Sequence, residues 1–291
     1  MGKISLILSG GAIYGACEAS ALEELCNITD EENIDLESII SVVYGSSIGS
    51  INAAAFIQYL GLRMDNPKWM SEVYSKFNIS DMIKCDGLDN ELSLFDRKNI
   101  IPFLKEIIAS GKFSLDALKD YINKMISMDM INNSNIDMRI VVTRRLHECV
   151  IYDKKSIDNL ADVLSSSCAL PFIFKRGIID NKKYSDGGIV NGMPISDTDK
   201  CDDIFVMHLP TFQNTLGLRR AKNSGEFNVT IINSDGKINE IYNHAKRNLV
   251  VYEPTLSGGF LNPKAIPHSL MVGKNDMQMA KDVIKERILR R

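Results

Sequence analysis

Ser47 lies in the pentad Gly45-Ser46-Ser47-Ile48-Gly49. Ile39, Ile40, Val42 and Val43 are β-branched and predict a buried strand over residues 39–44. Ile48, Ile51, Asn52, Ala55, Phe56, Tyr59 and Leu60 fall at helical spacing and predict a helix over residues 48–60. A serine held between strand and helix has its hydroxyl pushed out of the fold. Glycines on either side give the turn room, and the helix N-terminus favours negative charge there. A GxSxG pattern arises by chance in about one chain in ten of this length, so the flanking strand and helix carry the reading. The chemistry is acyl transfer, with the hydroxyl attacking a carbonyl carbon.

Acyl transfer by serine also needs donors aimed at the oxyanion and a base beside the hydroxyl. Ser9-Gly10-Gly11-Ala12 follows a first predicted strand, residues 4–8, and precedes a helix that starts near Gly15. Glycines there let backbone N–H groups turn toward a developing negative charge, so Gly10, Gly11 and Ala12 are the natural oxyanion cradle. The residues argue against a nucleotide-binding loop: Ala16-Cys17 stand where a P-loop requires Lys and Ser or Thr, and GxGxxG is not matched. For the base, His147, His208, His244 and His268 sit in ordinary surroundings, and His208, His244 or His268 would complete a Ser-Asp-His triad. Asp186-Gly187-Gly188 offers a carboxylate in a turn that can approach another loop closely.

These residues must be positioned by a sheet. Strand, glycine turn, helix, strand, turn, helix at the start of the chain is the pattern of a parallel sheet, whose ligand site lies at the carboxyl ends of its strands. Residues 61–135 change character: Ile100, Phe103, Leu104, Ile107 and Ile108, then Leu115, Leu118, Ile122 and Met125, mark two amphipathic helices with no strand between them. That block holds Trp69 and the methionines at 64, 70, 82, 125, 128 and 130, either plain core or a soft apolar cap for acyl chains. Further strands are expected at 138–143, 148–152, 204–209, 229–232 and 249–252, a helix at 156–167, and a hairpin around Asn181. A terminal amphipathic helix over 276–291 would bury Met277, Ala280, Ile284 and Ile288. The expected organisation is one α/β hydrolase domain over residues 1–291, with 61–135 a helical insertion or cap.

With 291 residues, 45% of them hydrophobic, and a net charge of −3, the chain can bury a large core and lacks the basic footprint of a nucleic-acid protein. The six cysteines show neither CxxC pairs nor metal-ligand spacing and are expected to be reduced and mostly buried. No metal, calcium or organic cofactor is expected. The opening apolar stretch is too short for a secretory leader, and Leu6 stands where a myristoylation motif wants Ser or Thr. A cytoplasmic protein is expected.

Three ordered blocks resemble the patatin-like phospholipases. They are Leu8-Ser9-Gly10-Gly11-Ala12-Ile13-Tyr14-Gly15-Ala16, the stretch from Val43 through Ser47 to Ala54, and Ser166-Ser167-Cys168-Ala169-Leu170-Pro171-Phe172 followed by Tyr184 to Pro194 with Asp186-Gly187-Gly188. The resemblance implies a three-layer α/β/α sandwich with a largely parallel central sheet. It also implies a dyad of Ser47 as nucleophile and Asp186 as base, oxyanion donors at Gly10, Gly11 and Ala12, and a phospholipid or other fatty-acyl ester as substrate, met at a peripheral membrane surface. Two positions depart from the family pattern: Ala12 closes its glycine triplet, and Tyr14 stands where an arginine is usual. Loss of a cation beside the oxyanion costs rate or alters head-group preference, unless Arg63 or Arg97 supplies the charge from elsewhere. The alternative reading is a lipid-binding protein that keeps the fold and has lost turnover through Ala12 and Tyr14. An aspartate base suits esters better than amides, because an alcohol leaves with less protonation than an amine.

Overall fold

Ile4–Leu8 forms the first strand, β1, and is buried along its whole length, as an inner strand of a parallel sheet must be. Leu6 and Leu8 face one core and Ile7 the other. The computed structural model describes residues 4–78, 81–84, 87, 96–110, 112–195, 198, 203–235, 237–259 and 261–289. The other strands are β2 (Ile40–Ser46), β3 (Asp137–Arg144), β4 (Glu148–Asp153), β5 (Gly177–Ile179), β6 (Lys182–Asp186), β7 (Asp203–Met207), β8 (Phe227–Asn233), β9 (Ile238–Ile241) and β10 (Arg247–Glu253). The helices are α1 (Gly15–Glu31), α2 (Leu36–Ile39), α3 (Ile48–Leu62), α4 (Trp69–Ser75), α5 (Arg97–Ser110), α6 (Asp116–Met125), α7 (Met128–Asn133), α8 (Leu160–Ser167), α9 (Gly188–Asn191), α10 (Phe212–Asn223), α11 (Ile266–Met279) and α12 (Lys281–Ile284).

The strands form a ten-stranded sheet in the pairing order β5-β6-β3-β2-β1-β7-β10-β8-β9, with β4 joined to β3. From β3 to β8 the neighbours run parallel; β4, β6, β5 and β9 are antiparallel additions. Helices cover both faces. Residues of α1, α3, α8 and α11 share one core, whereas Leu218 and Ala221 of α10 pack with Ile7, Val206 and Val251 in the other. This is the expected three-layer α/β/α arrangement.

One pairing decides where the chemistry sits. β4 pairs with β3 along Arg139–Arg144 and so occupies one edge of it. On the other edge β2 runs parallel up to Ser46 opposite Val141, and β6 runs antiparallel down to Asp186 opposite Val142. Two strands from distant parts of the chain therefore end facing one another on consecutive residues of a single template.

The elements differ from the sequence expectation in several places. The strand predicted over 39–44 starts at Ile40 and runs to Ser46, because Asp35 accepts the N–H of Glu37 and caps the short helix α2 that takes Ile39. The helix predicted to start at 156 starts at Leu160, where Asn159 accepts the N–H of Asp162. Met277, Ala280, Ile284 and Ile288 are buried as expected. The helix expected over 276–291 is instead the end of α11, then α12, then a π-helical turn at Lys285–Leu289; Arg290 and Arg291 lie outside the described residues. Within 61–135 the described helices α4, α5, α6 and α7 lend Met70, Phe103, Leu118 and Ile131 to the same core as α1 and α3.

Candidate active site

Ser47 stands between β2 and α3 with φ 53 and ψ −129, a left-handed backbone that a side chain adopts only under constraint. The flanking glycines make it possible. A Cβ on Gly45 would lie 2.4 Å from the carbonyl oxygen of Gly49, and one on Gly49 would lie 2.2 Å from the carbonyl oxygen of Leu8. The start of α3 thus rests directly on the end of β1, and its amide dipoles point at Ser47. Ser50 holds the turn by donating both its N–H and its hydroxyl to the carbonyl of Ser47, at 2.8 and 2.6 Å.

The Ser47 hydroxyl donates to Asp186 Oδ2 at 2.7 Å, and the N–H of Gly188 donates to Asp186 Oδ1 at 2.8 Å. Only 2% of Asp186 is exposed. Burial raises its pKa from 3.8 to about 6, against the lowering effect of those two hydrogen bonds. Ser167, at the end of α8, joins the parts: its hydroxyl accepts the N–H of Ser47 at 2.9 Å and donates to the Val141 carbonyl at 2.7 Å, while its own carbonyl accepts the N–H of Gly187 at 3.0 Å. Asp186 N–H donates to the Ala169 carbonyl at 3.0 Å. Gly187 fits only without a side chain, since a Cβ there would lie 2.2 Å from the Val141 carbonyl.

The glycine turn after β1 passes close over the serine. A Cβ on Gly10 would sit 2.9 Å from Ser47 Cβ. Among the described residues, the N–H groups of Gly10, Gly11 and Ile48 meet no acceptor. Asn214, buried in the first turn of α10, donates through Nδ2 to the carbonyls of Gly10 and Leu209, each at 2.8 Å. The peptide is planar and trans, so clamping the Gly10 carbonyl turns the N–H of Gly11 to the opposite side. Ala12 takes φ +49 in place of a glycine.

Beneath the turn lies a polar network that the sequence reading did not find. Ser9 N–H donates to Glu18 Oε1 at 2.8 Å, and Asn52 Nδ2 donates to Glu18 Oε2 at 2.8 Å and to the Gly15 carbonyl at 3.0 Å. The hydroxyl of Tyr74 donates to Asn52 Oδ1 at 2.8 Å. Burial pushes the Glu18 carboxyl well above the usual carboxylate range. Its sequence setting, a glutamate in the first turn of a helix, is that of an exposed dipole partner. Only the helix α3 laid across it shows otherwise.

An apolar cavity of about 100 Å³ opens beside Ser47, with Trp69, Met70, Met82, Met125, Leu170 and Ile173 among its walls. Four of these belong to the 61–135 block; Met64 of the same block, by contrast, is exposed. Cys168 also lines the cavity, and burial pushes its thiol up, so it stays neutral beside the serine.

The histidines stand apart from this centre. His208 Nδ1 lies 3.3 Å from Glu253 Oε1 between the ends of β7 and β10, His147 Nδ1 bonds the Arg145 carbonyl, and His244 packs edge-on against Tyr242. None of these three, nor His268, is hydrogen-bonded to Ser47 or Asp186, whose carboxylate already has both oxygens engaged. Tyr14, at the position where an arginine was expected, is buried, and its hydroxyl accepts the N–H of Gly259 at 3.2 Å. Arg63 does not replace that charge: it caps the far end of α3, roughly 20 Å from Ser47 along a fifteen-residue helix, and pairs with Asp30 at 2.7 Å. The side chain of Arg97 lies outside the described residues, as do Cys85 and Cys201; Cys17, Cys26 and Cys168 are free thiols, and Cys149 accepts from Asn191 Nδ2.

The family model for patatin-like phospholipase matches residues 6–199, which include the glycine turn, the pentad and Asp186. The chain belongs to the patatin-like phospholipase family. By its description the family is one of lipid hydrolases, and this member is built on a mixed sheet with helices on both sides. No curated protein sequence matches significantly. Among solved structures, this patatin-like chain is similar to VipD from Legionella pneumophila, at 14% identity and a TM-score of 0.42, covering 97% of this chain and 67% of that one. It is also similar to the type III effector ExoU, at 13% identity and a TM-score of 0.37, covering 98% and 53%. For ExoU in its complex with SpcU from Pseudomonas aeruginosa the values are 13% and 0.42, covering 99% and 52%. The chain thus spans about half the length of the ExoU chains. Among the described residues, no helix is long and apolar enough to cross a membrane.

Proposed function

We propose that this patatin-like protein hydrolyses fatty-acyl esters of phospholipids or lysophospholipids through a Ser47–Asp186 dyad. The observation that carries the reading is the 2.7 Å hydrogen bond from a serine on a strained turn to a buried carboxylate, at the mouth of an apolar cavity. Asp186 takes the proton as Ser47 Oγ attacks the acyl carbon. The oxyanion that forms is met by the N–H groups of Gly10 and Gly11, with Ala12 at the edge of the turn and the N–H of Ile48 at the start of α3. Asp186 then returns the proton to the leaving alcohol, and water repeats the sequence on the acyl-enzyme. The acyl chain lies in the cavity, under a cap supplied by residues 61–135. At about 100 Å³ the cavity is narrower than the few hundred Å³, about 300 or more, of ordinary small-molecule sites. A long chain therefore enters by displacing the flexible methionines.

The test is release of fatty acid from phospholipid and of p-nitrophenol from an acyl ester, with fluorophosphonate labelling of the serine. Wild type should turn over both substrates. Ser47→Ala should lose turnover and labelling, and Asp186→Asn should lose turnover by about a thousandfold or more. Turnover retained by either variant rejects the dyad. Lipid binding by wild type with neither turnover nor labelling would instead favour a non-hydrolytic role, the outcome to which the uncharged, occupied Tyr14 hydroxyl points.

A further inference from the structure

Phe172 is 83% exposed although it sits between residues that turn inward. Leu170 and Ile173 line the cavity beside Ser47, and Phe174 is buried. The outward turn comes from a left-handed backbone at Phe172, φ +73, a conformation unusual for an aromatic residue. The loop is pinned on both sides of it. Phe174 N–H donates to the Leu170 carbonyl at 3.0 Å, Phe113 N–H to the Ile173 carbonyl at 2.9 Å, and Lys175 N–H to the Phe113 carbonyl at 2.8 Å. An apolar ring is thus held in solvent at the rim of the cavity by a constrained loop.

Its surroundings are cationic. Lys112 Nζ lies 5.5 Å from the centre of the Phe172 ring. Residues 171–183 carry Lys175, Arg176, Lys182 and Lys183 against Asp180 alone, a charge of 4 − 1 = +3 within a chain whose net charge is −3. None of these four cations, nor Lys112, forms a salt bridge among the described residues. On the β5–β6 hairpin the exposed Ile178 stands opposite the exposed Lys183, repeating the pairing of an apolar with a basic side chain.

We infer that this surface, Phe172 with Lys112 and the basic segment 175–183, docks on a bilayer that contains anionic lipid. A ring stranded in water and cations without carboxylate partners are both satisfied at one place, the boundary between acyl chains and anionic headgroups. Each cation near such a surface strengthens binding about fivefold. Because Leu170 and Ile173 line the cavity, a docked bilayer brings its acyl chains to the cavity mouth. Docking serves the acyl-hydrolase reading, but vesicle binding is measurable without it.

The experiment is co-sedimentation of the full chain, in a Ser47→Ala background, with vesicles of phosphatidylcholine and of phosphatidylcholine mixed with phosphatidylserine. Binding should favour the anionic vesicles and weaken with salt. Lys175→Ala with Arg176→Ala should weaken it about tenfold or more, and Phe172→Asp should weaken it comparably. Tyr242→Asp, at another exposed aromatic, outside this surface, should bind as the parent does. With Ser47 present, Phe172→Asp should lower the ratio of turnover on bilayer phospholipid to turnover on a soluble short-chain ester. No binding to anionic vesicles, equal binding to both kinds, or a loss with Tyr242→Asp as large as with Phe172→Asp overturns the inference. Absence of turnover on both substrates, with vesicle binding intact, would overturn the dyad and leave the docking surface standing.

Discussion

At the scale of the residue, the site depends on how the protein treats one carboxylate. In water an aspartate is too weak a base to draw a proton from serine; burial at the end of β6 brings Asp186 to about 6 while it still accepts from Ser47 and Gly188. Only the ionised form is a base. The value of kcat/KM on a soluble ester should therefore fall tenfold per pH unit on acidification below about 6 and level off above it, with a single ionisation governing the acid limb. A pH–rate profile checks this, and an acid limb centred near the ordinary 3.8 would mean that the reacting carboxylate is elsewhere. Ser47 and Asp186 were legible as residues because glycines mark both turns. Ser167, Glu18 and Asn214 were not, since a serine at a helix end, a glutamate in a first turn and an asparagine near an N-terminus have the same sequence appearance whether they are solvated or hold the loops of a candidate site.

At the scale of the element, what matters is which loop is held by what. The turn after β1 has no strand partner, and its geometry comes from side chains of other elements: Glu18 of α1, Asn52 of α3 and Asn214 of α10. Asn214 touches no reacting atom. It fixes the Gly10–Gly11 peptide, and with it the direction of one proposed oxyanion donor. Asn214→Ala should lower kcat about tenfold or more while leaving KM within a factor of about two. Asn214→Asp should fail to rescue, since a carboxylate has no N–H for the Gly10 carbonyl. Steady-state kinetics on a soluble ester separates this from a merely structural role, which would lower the amount of folded enzyme without changing the ratio of the two constants. Among the elements, β1, α3 and the β5–β6 hairpin follow directly from hydrophobic periodicity and turn residues. β9 was missed because Ile238–Ile241 is exposed along its length and offers no alternation of buried and polar positions. α10 was missed because its sequence is polar and its inward residues are few.

At the scale of the whole molecule, the buried acids set a pH dependence of stability. Asp186, Glu18 and Glu23 all have carboxyls raised by burial. A raised acid binds its proton more tightly in the folded than in the unfolded chain, so its contribution to stability is full below the unfolded pKa and is lost as pH rises through the folded one. For Asp186 the window runs from 3.8 to about 6, and the shift corresponds to ~3 kcal/mol between the two protonation states. Asp186→Asn removes this term. The stability of Asp186→Asn relative to wild type should therefore increase with pH across that window, by up to ~3 kcal/mol, in denaturant unfolding followed at several pH values. A difference independent of pH would show that the carboxylate is solvated.

The sequence by itself determined the local devices of this protein: a serine on a strand-to-helix turn, glycines where a side chain has no room, an aspartate beside two glycines, and the alternation of strand and helix that makes a parallel sheet. These are short-range properties, set by backbone sterics and by the spacing of apolar residues within one element. Only the tertiary structure decided that residues 47 and 186 meet, because their meeting depends on hydrogen-bond register. β2 and β6 end against Val141 and Val142 of the same strand edge, and a shift of a single residue would separate them. Tertiary structure likewise decided that Glu18 is buried, that Tyr14 is occupied and that Phe172 is not. Burial is a property of what packs over a residue, and that comes from elsewhere in the chain.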